Sequence, residues 1–383
     1  MKLRVLHIAY PYAPVGPRAC GGAEQVLTDL DRALTLAGHS SAVVACEGSK
    51  AMGHLYSAPV PHGRFDSSDS DRRFWQSRYQ QTIDHALASG HFDLVHMHGL
   101  DWHNYRLPAK LPTLVTLHMP ISWYPAAMWN MQGRNLHFQC VSAHQKQACP
   151  DRDAAVIENG VELPPYPRHA SGPRGISDSP RSNQWHAGSA RPFAIALGRI
   201  CPEKNLHQAL MAGTLAGLRV LVGGQTFPYS THLEYERSRF RPALHGAARL
   251  HGAARLRDQH RFLGPLPPRR KQRLLAAARC LLHPTLAPET SSLVAMEALA
   301  AGTPVIAYRS GALPQIIEHG VTGFLVNNVT EMAEAIARVG SLDRHACRRA
   351  AEDRFSRDRM TRDYLDLYSR ILNAQPQTQP RYA

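Results

Sequence analysis

Glu289 and Glu297 stand with seven residues between them in P-E-T-S-S-L-V-A-M-E-A-L-A-A-G-T-P-V-I-A. Small and apolar residues run from Ser291 to Leu299 without a breaker until Gly302-Thr303-Pro304. This predicts a helix whose first turn Thr290 or Ser291 can cap. At roughly 1.5 Å of rise per residue, Glu297 falls on the order of 9 Å along the axis from the helix mouth. The mouth is an anion site, because the free amides of Ser291, Ser292, Leu293 and Val294 and the positive end of the macrodipole favour phosphate. A ligand with hydroxyls at both ends and phosphates between them suits this spacing, with Glu289 on a sugar and Glu297 on a ribose.

Two cations sit where they could grip the same phosphates. Arg199 and Lys204 follow an apolar strand and flank Pro202, at the first turn of the next helical pattern. Arg can hold two oxygens at once and Lys adds a point charge. Nearer the start, Gly21 and Gly22 open a helix after the first strand and let backbone approach a ligand. They lack the full G-x-G-x-x-G and its acidic partner, which disfavours a nicotinamide enzyme. His118 ends the strand-like Leu114-Val115-Thr116-Leu117, where an inward side chain would reach a cleft.

These motifs fall in one order: Gly21-Gly22-Ala23-Glu24, His118, Asn159-Gly160-Val161 after a short strand, Gly198-Arg199 with Glu203-Lys204-Asn205, then E-x7-E followed by A-x-A-x-G-x-P-V. In that order the chain, from Leu3 to about Val339, resembles the family 4 retaining glycosyltransferases of the GT-B fold. The resemblance implies a nucleotide-sugar donor, with UDP the most frequent in the family, and an acceptor that is a saccharide, lipid-linked or small molecule. It implies that Arg199 and Lys204 neutralise the departing diphosphate without a metal or other cofactor, and that His118 donates to a sugar hydroxyl near the reacting carbon. The route implied is front-face displacement with retention. One departure stands out: Ser291-Ser292 replaces the family's aromatic-glycine pair and adds hydroxyls beside the diphosphate.

The elements that must position these groups alternate, strand then helix, which predicts an α/β protein with parallel sheets. Strands are expected over Leu3–Ala9, Ser41–Cys46, Phe92–His96, Thr113–Leu117 and Phe138–Val141, with helices at Ala23–Ala37 and Arg73–Ala88. A second series places strands at Phe193–Leu197, Arg219–Val222, Phe262–Gly264, Cys280–His283 and Val305–Tyr308. At 383 residues the chain suits two domains. The expected division is 1–161, a linker with a disordered insertion over 162–192 that is rich in Pro, Arg, Ser and Gly, a donor domain over 193–355, and a last helix and tail over 356–383. Two doubly wound Rossmann-like halves would face a central cleft, with ligands at the carboxyl ends of the strands. The resemblance adds that the last helix crosses back to the first domain.

Composition narrows the remaining possibilities. Seven scattered cysteines without a C-x-x-C pair argue for reduced thiols. No apolar run approaches a membrane span, and the N-terminal apolar stretch reads as a strand rather than a signal peptide. A cytoplasmic protein is expected. The formal charge of +14 would draw such a surface toward anionic lipid, which favours peripheral contact with the inner face of a membrane, while specific nucleic-acid binding is disfavoured. The tightest basic cluster is Arg269-Arg270-Lys271 with Arg273. His96 and His98, with His103 nearby, have no carboxylate or thiol at ligand spacing except Asp101, which disfavours a metal site. Trp102, Trp123, Tyr124 and Trp129 fit an aromatic acceptor floor or the core. A sugar-nucleotide epimerase on the same plan would want further acid/base carboxylates, and a silent basic binding protein would not need Arg199, Lys204 and Glu289 intact. The tandem H-G-A-A-R-L at His245–Leu256 reads as a duplication in a surface loop or helix.

Overall fold

The computed structural model describes residues 2–60, 69–131, 135–165, 192–246 and 260–374. Its first sheet is built from β1 (Arg4–Ile8), β2 (Ser40–Cys46), β3 (His54–Ala58), β4 (Leu94–Met97), β5 (Thr113–Leu117), β6 (Leu136–Cys140) and β7 (Ala155–Val156), in the spatial order 3-2-1-4-5-6-7. Its second has β8 (Phe193–Leu197), β9 (Arg219–Gly223), β10 (Arg261–Phe262), β11 (Leu281–His283), β12 (Val305–Tyr308) and β13 (Gly323–Val326), in the order 10-9-8-11-12-13. All of the pairings are parallel. Helices cover both faces of such sheets, so the central strands are continuous apolar runs; β5, T-L-V-T-L, is buried at every position.

Strand order decides where a ligand can sit. It reverses between β1 and β4 in the first sheet and between β8 and β11 in the second, and the crevice beyond the carboxyl ends of the strands at such a reversal is open to a ligand. The loops leaving β1, β4, β8 and β11 carry Gly21 and Gly22, His98, Arg199 and Lys204, and Glu289 respectively. The expected two doubly wound halves are thus present.

β3 and β13 are absent from the strands expected, and β7 is the short strand expected before Asn159-Gly160-Val161. β7 is only two residues long, and β3, H-L-Y-S-A, is an edge strand with little apolar signal. β13, G-F-L-V, is four residues at the opposite edge of the second sheet, too short for periodicity to separate from the helical patterns around it.

The last helix, Arg357–Asn373, leaves the second half and packs on the first. Ser356 bridges Val161, Tyr368 Oη lies 2.7 Å from His96 Nδ1, and Tyr364 Oη donates to Gln139 Oε1 at 2.8 Å. One apolar cluster runs through both halves, joining Leu3 and Leu30 to Leu293, Met360 and Tyr364. Among the described residues no helix is long and apolar enough to cross a membrane. Most of the expected linker insertion (166–191) and nearly all of the tandem repeat (247–256) lie outside the described residues; His245 and Gly246 end the Arg241–Gly246 helix.

Candidate active site

The segment after β11 carries Glu289 and is strapped to the turn after β8 that carries Lys204. Leu286 N and Thr285 Oγ1 both donate to Glu203 O, at 2.8 and 3.1 Å, and Asn205 Nδ2 donates to Pro284 O at 3.1 Å. Asn205 holds a left-handed backbone, φ 55°, which its short polar side chain tolerates better than most. On the other side Ala312 N donates to Glu289 O at 2.7 Å, and Gly311, φ 55°, packs so close that a Cβ would come 2.1 Å from the same oxygen. Only glycine fits there.

The product of this bracing is an ion pair between Lys204 Nζ and Glu289 Oε1, with His283 Nε2 3.4 Å from the same carboxylate oxygen. Glu289 is 9% exposed. Burial pushes its pKa up, but Lys204 and His283 together outweigh burial and hold it far below the usual carboxylate range. The carboxylate is therefore charged at neutral pH, with its charge directed by one lysine.

The helix that follows starts later than its sequence suggests. It spans Leu293–Ala300, and its cap is Ser292, whose Oγ accepts from Ala295 N at 3.4 Å and lies 3.2 Å from His283 Nε2. Neither Thr290 nor Ser291 caps it. Thr290 Oγ1 donates instead to His118 O at 2.8 Å, tying the second half to the first, and Ser291 Oγ is buried without a hydrogen-bond partner among the described residues. Glu297 is consequently about 6 Å from the mouth rather than 9 Å. Its Oε1 accepts from Lys271 Nζ at 2.5 Å, and its Oε2 has no partner among the described residues. Lys271 is thus turned inward, while Arg269, Arg270 and Arg273 of the same basic run stay exposed.

Between the halves lies a cleft of about 930 Å³. Four of the expected site residues, Arg199, Leu293, Val294 and Glu297, line it, together with Lys271. Lys204, Glu289, Ser291, Ser292, His118, Gly21 and Gly22 are not among its lining residues. Gly22 nevertheless faces Leu293, since a Cβ on it would meet Leu293 Cδ1 at 3.5 Å, so the two helix mouths oppose each other. The Arg199 guanidinium has no hydrogen-bond partner among the described residues. Its charge instead lowers the pKa of buried Glu24, which burial raises. Glu24 folds back over Gly21, where a Cβ would come 1.9 Å from Oε2, so the first helix mouth is already faced by a carboxyl group.

His118 is half-buried beside a chain of histidines. Its Nε2 lies 3.1 Å from His98 Nδ1, and His98 Nε2 lies 3.2 Å from His7 Nδ1. His96 bridges Tyr368 and Thr116, both at 2.7 Å. Burial lowers the pKa of all four, His7 to about 4 and His118 to about 3, so each is neutral at pH 7. His7 joins His96 and His98 where His103 was the neighbour suggested by the sequence. The four aromatic residues form no common floor: Trp102 and Tyr124 are core, Trp129 packs on Phe138, and Trp123 is 42% exposed.

Glu24, His283 and Lys271 are the site neighbours that spacing did not single out. Glu24 was visible as the fourth residue of G-G-A-E, the position from which a carboxylate reaches back to its cap. His283 and Lys271 come from other strands and helices, and no local pattern pairs them with Glu289 or Glu297.

Residues 20–164 match the family model described as Glycosyltransferase Family 4, and residues 181–354 match that described as Glycosyl transferases group 1. Among curated proteins, the D-inositol 3-phosphate glycosyltransferase of Corynebacterium glutamicum is 32% identical over 217 residues, 52% of this chain and 46% of that one. The chain thus spans about half the length of the curated relatives it matches. Among solved structures, sucrose-phosphate synthase from Thermosynechococcus elongatus superposes with a TM-score of 0.73 at 18% identity, covering 97% of this chain and 100% of that one. HepE from Anabaena, in complex with UDP and glucose, gives 0.68 at 18% identity, covering 96% and 99%.

Proposed function

Because the chain belongs to the family 4 glycosyltransferases of the GT-B fold, we propose that it moves a sugar from a nucleotide diphosphate donor, a UDP-sugar, to an acceptor hydroxyl. The observation that carries this reading is the Lys204–Glu289 ion pair on the loops that leave β8 and β11, where the strand order reverses, with Arg199, Leu293, Val294 and Glu297 lining the cleft. The diphosphate would lie across that mouth, Glu289 would hold the sugar and Glu297 the ribose. Arg199 and Lys204 would take up the charge that develops as the bond from the anomeric carbon to phosphate oxygen breaks, which makes them more useful in the transition state than before it. In this reading the acceptor oxygen attacks from the leaving-group side, its proton passes to the departing phosphate oxygen, and configuration is retained. His118, being neutral, can donate one N–H to a sugar hydroxyl.

The first-half wall of the cleft carries Arg18, Arg32 and Lys50, of which Arg32 acts electrostatically on Asp29 in the same wall. This favours an acceptor that itself bears an anionic group, in keeping with the inositol phosphate in the name of the curated relative. The test of the whole reading is thermal stabilisation. UDP should raise the melting temperature of the protein and duplex DNA should not; the opposite pattern removes the assignment.

A further inference from the structure

We propose that Cys201, Glu203 and His232 form a binding site for a thiophilic divalent cation of the zinc type, set behind the cation clamp and outside the cleft. One donor atom from each of the three lies within 4.8 Å of the others. Cys201 and His232 are buried, and Glu203 is half-buried. The Cys201 Sγ donates to Arg199 O at 3.6 Å, and His232 Nε2 is 4.0 Å from Glu203 Oε2. Two polar atoms of the cluster, Glu203 Oε2 and His232 Nδ1, are buried without a hydrogen-bond partner among the described residues. Such orphaned atoms are costly unless something else satisfies them.

The donor set suits that ion. Thiolate, imidazole and carboxylate are all zinc ligands, with bonds of about 2.0 to 2.3 Å, so tetrahedral geometry holds ligand atoms roughly 3.3 to 3.8 Å apart. Closing from 4.8 Å asks for a contraction of about 1 Å, within reach of side-chain rotation. A thiolate and a carboxylate also cancel the two charges of the ion, which a buried site requires. His7, His96 and His98 are equally close together but bring no anionic ligand, and both ring nitrogens of His96 are already engaged.

The backbone under the site is fixed. Glu203 O accepts from Leu286 N and Thr285 Oγ1, and the His232 ring stands edge-on to Tyr229 at 5.0 Å. Tyr229 in turn hydrogen-bonds Tyr10 of the first half. A bound cation would therefore link the turn that carries Arg199 and Lys204 to the Ser230–Tyr235 helix, which touches the opposite half. Binding itself does not depend on the transferase reading.

Cobalt titration of the full, reduced chain tests the site without nucleotide. A cobalt–thiolate charge-transfer band should appear, saturate at one ion per chain and be displaced by zinc. Cys201→Ser should abolish the band, and His232→Gln should weaken zinc binding by about tenfold or more, measured against a chromophoric chelator. Far-UV circular dichroism checks that each variant is folded; should Cys201→Ser fail to fold, the wild-type band and the His232→Gln affinity decide. Absence of the band in wild type overturns the proposal. So does zinc affinity left unchanged in a folded Cys201→Ser or His232→Gln, which would place the ion elsewhere, with His7, His96 and His98 the next group to test.

Discussion

The lysine–carboxylate pair at Lys204 and Glu289 is where charge, burial and chemistry meet in one contact. Lys204→Ala removes the cation that directs Glu289 and a donor to the leaving phosphate. Turnover should fall about tenfold or more, about 1.4 kcal/mol of transition-state stabilisation, with the far-UV spectrum retained. Wild-type rates in that variant would withdraw the lysine from the clamp. Glu297→Gln should act differently: the ribose is bound equally before and during reaction, so donor KM should rise while kcat stays near wild type. A fall in kcat alone would place Glu297 at the reacting carbon instead. The histidines make a third, independent prediction. His7 and His118 stay neutral in the fold down to about pH 4 and 3, whereas unfolded they take up protons near pH 6.5. Their folded values are depressed, so stability is full above the unfolded value and is lost as pH falls below it, by roughly 1.4 kcal/mol per pH unit for each proton taken up on unfolding. The melting temperature should therefore drop between pH 7 and pH 5. A flat profile over that range would mean these rings are not buried as neutral groups.

At the scale of elements, the loop that carries Glu289 depends on its support from the far side. Gly311→Ala puts a Cβ 2.1 Å from Glu289 O at a positive φ, so it should lower stability by about 1 to 3 kcal/mol and impair turnover beyond what that instability explains. Wild-type turnover in Gly311→Ala would show that the position of Glu289 is not set there. How far the sequence could reach follows from the same geometry. Strands buried on both faces announce themselves as apolar runs, which is why β1, β2, β5, β8 and β12 are legible, and the alternation with helices fixes parallel sheets. β3 is an edge with little apolar signal, and β13, though apolar, is only four residues long. Within the candidate site, spacing along a strand-loop-helix junction singles out Arg199, Lys204, Glu289 and Glu297, and the structure pairs Lys204 with Glu289. Helix onset was not legible, because three candidate caps stand in a row and only tertiary contacts choose among them: Thr290 is taken by His118 O and Ser292 is met by His283. Pairings across the fold, such as Lys271 with Glu297, leave no local trace at all.

The whole molecule is two parallel-sheet halves joined by a crossing helix and by contacts at the cleft, Thr290 to His118 and Tyr10 to Tyr229. Its +14 formal charge is mostly dispersed, so association with a membrane surface should be long-range and weak. The protein should sediment with vesicles containing anionic lipid at low salt and be released as ionic strength rises and the Debye length shrinks to about 8 Å near 0.15 M. Equal sedimentation with neutral vesicles would contradict that. The two halves have different tasks in this account: the second holds the leaving diphosphate, and the first presents the acceptor and His118. The measurement that bears most directly on it is nucleotide release from a panel of UDP-, GDP- and ADP-sugars incubated with the purified chain and phosphorylated polyol acceptors. The account predicts release from UDP-sugars by wild type and a rate lower by about tenfold or more in Lys204→Ala. No release from any sugar nucleotide, or equal release by the two proteins, would contradict it.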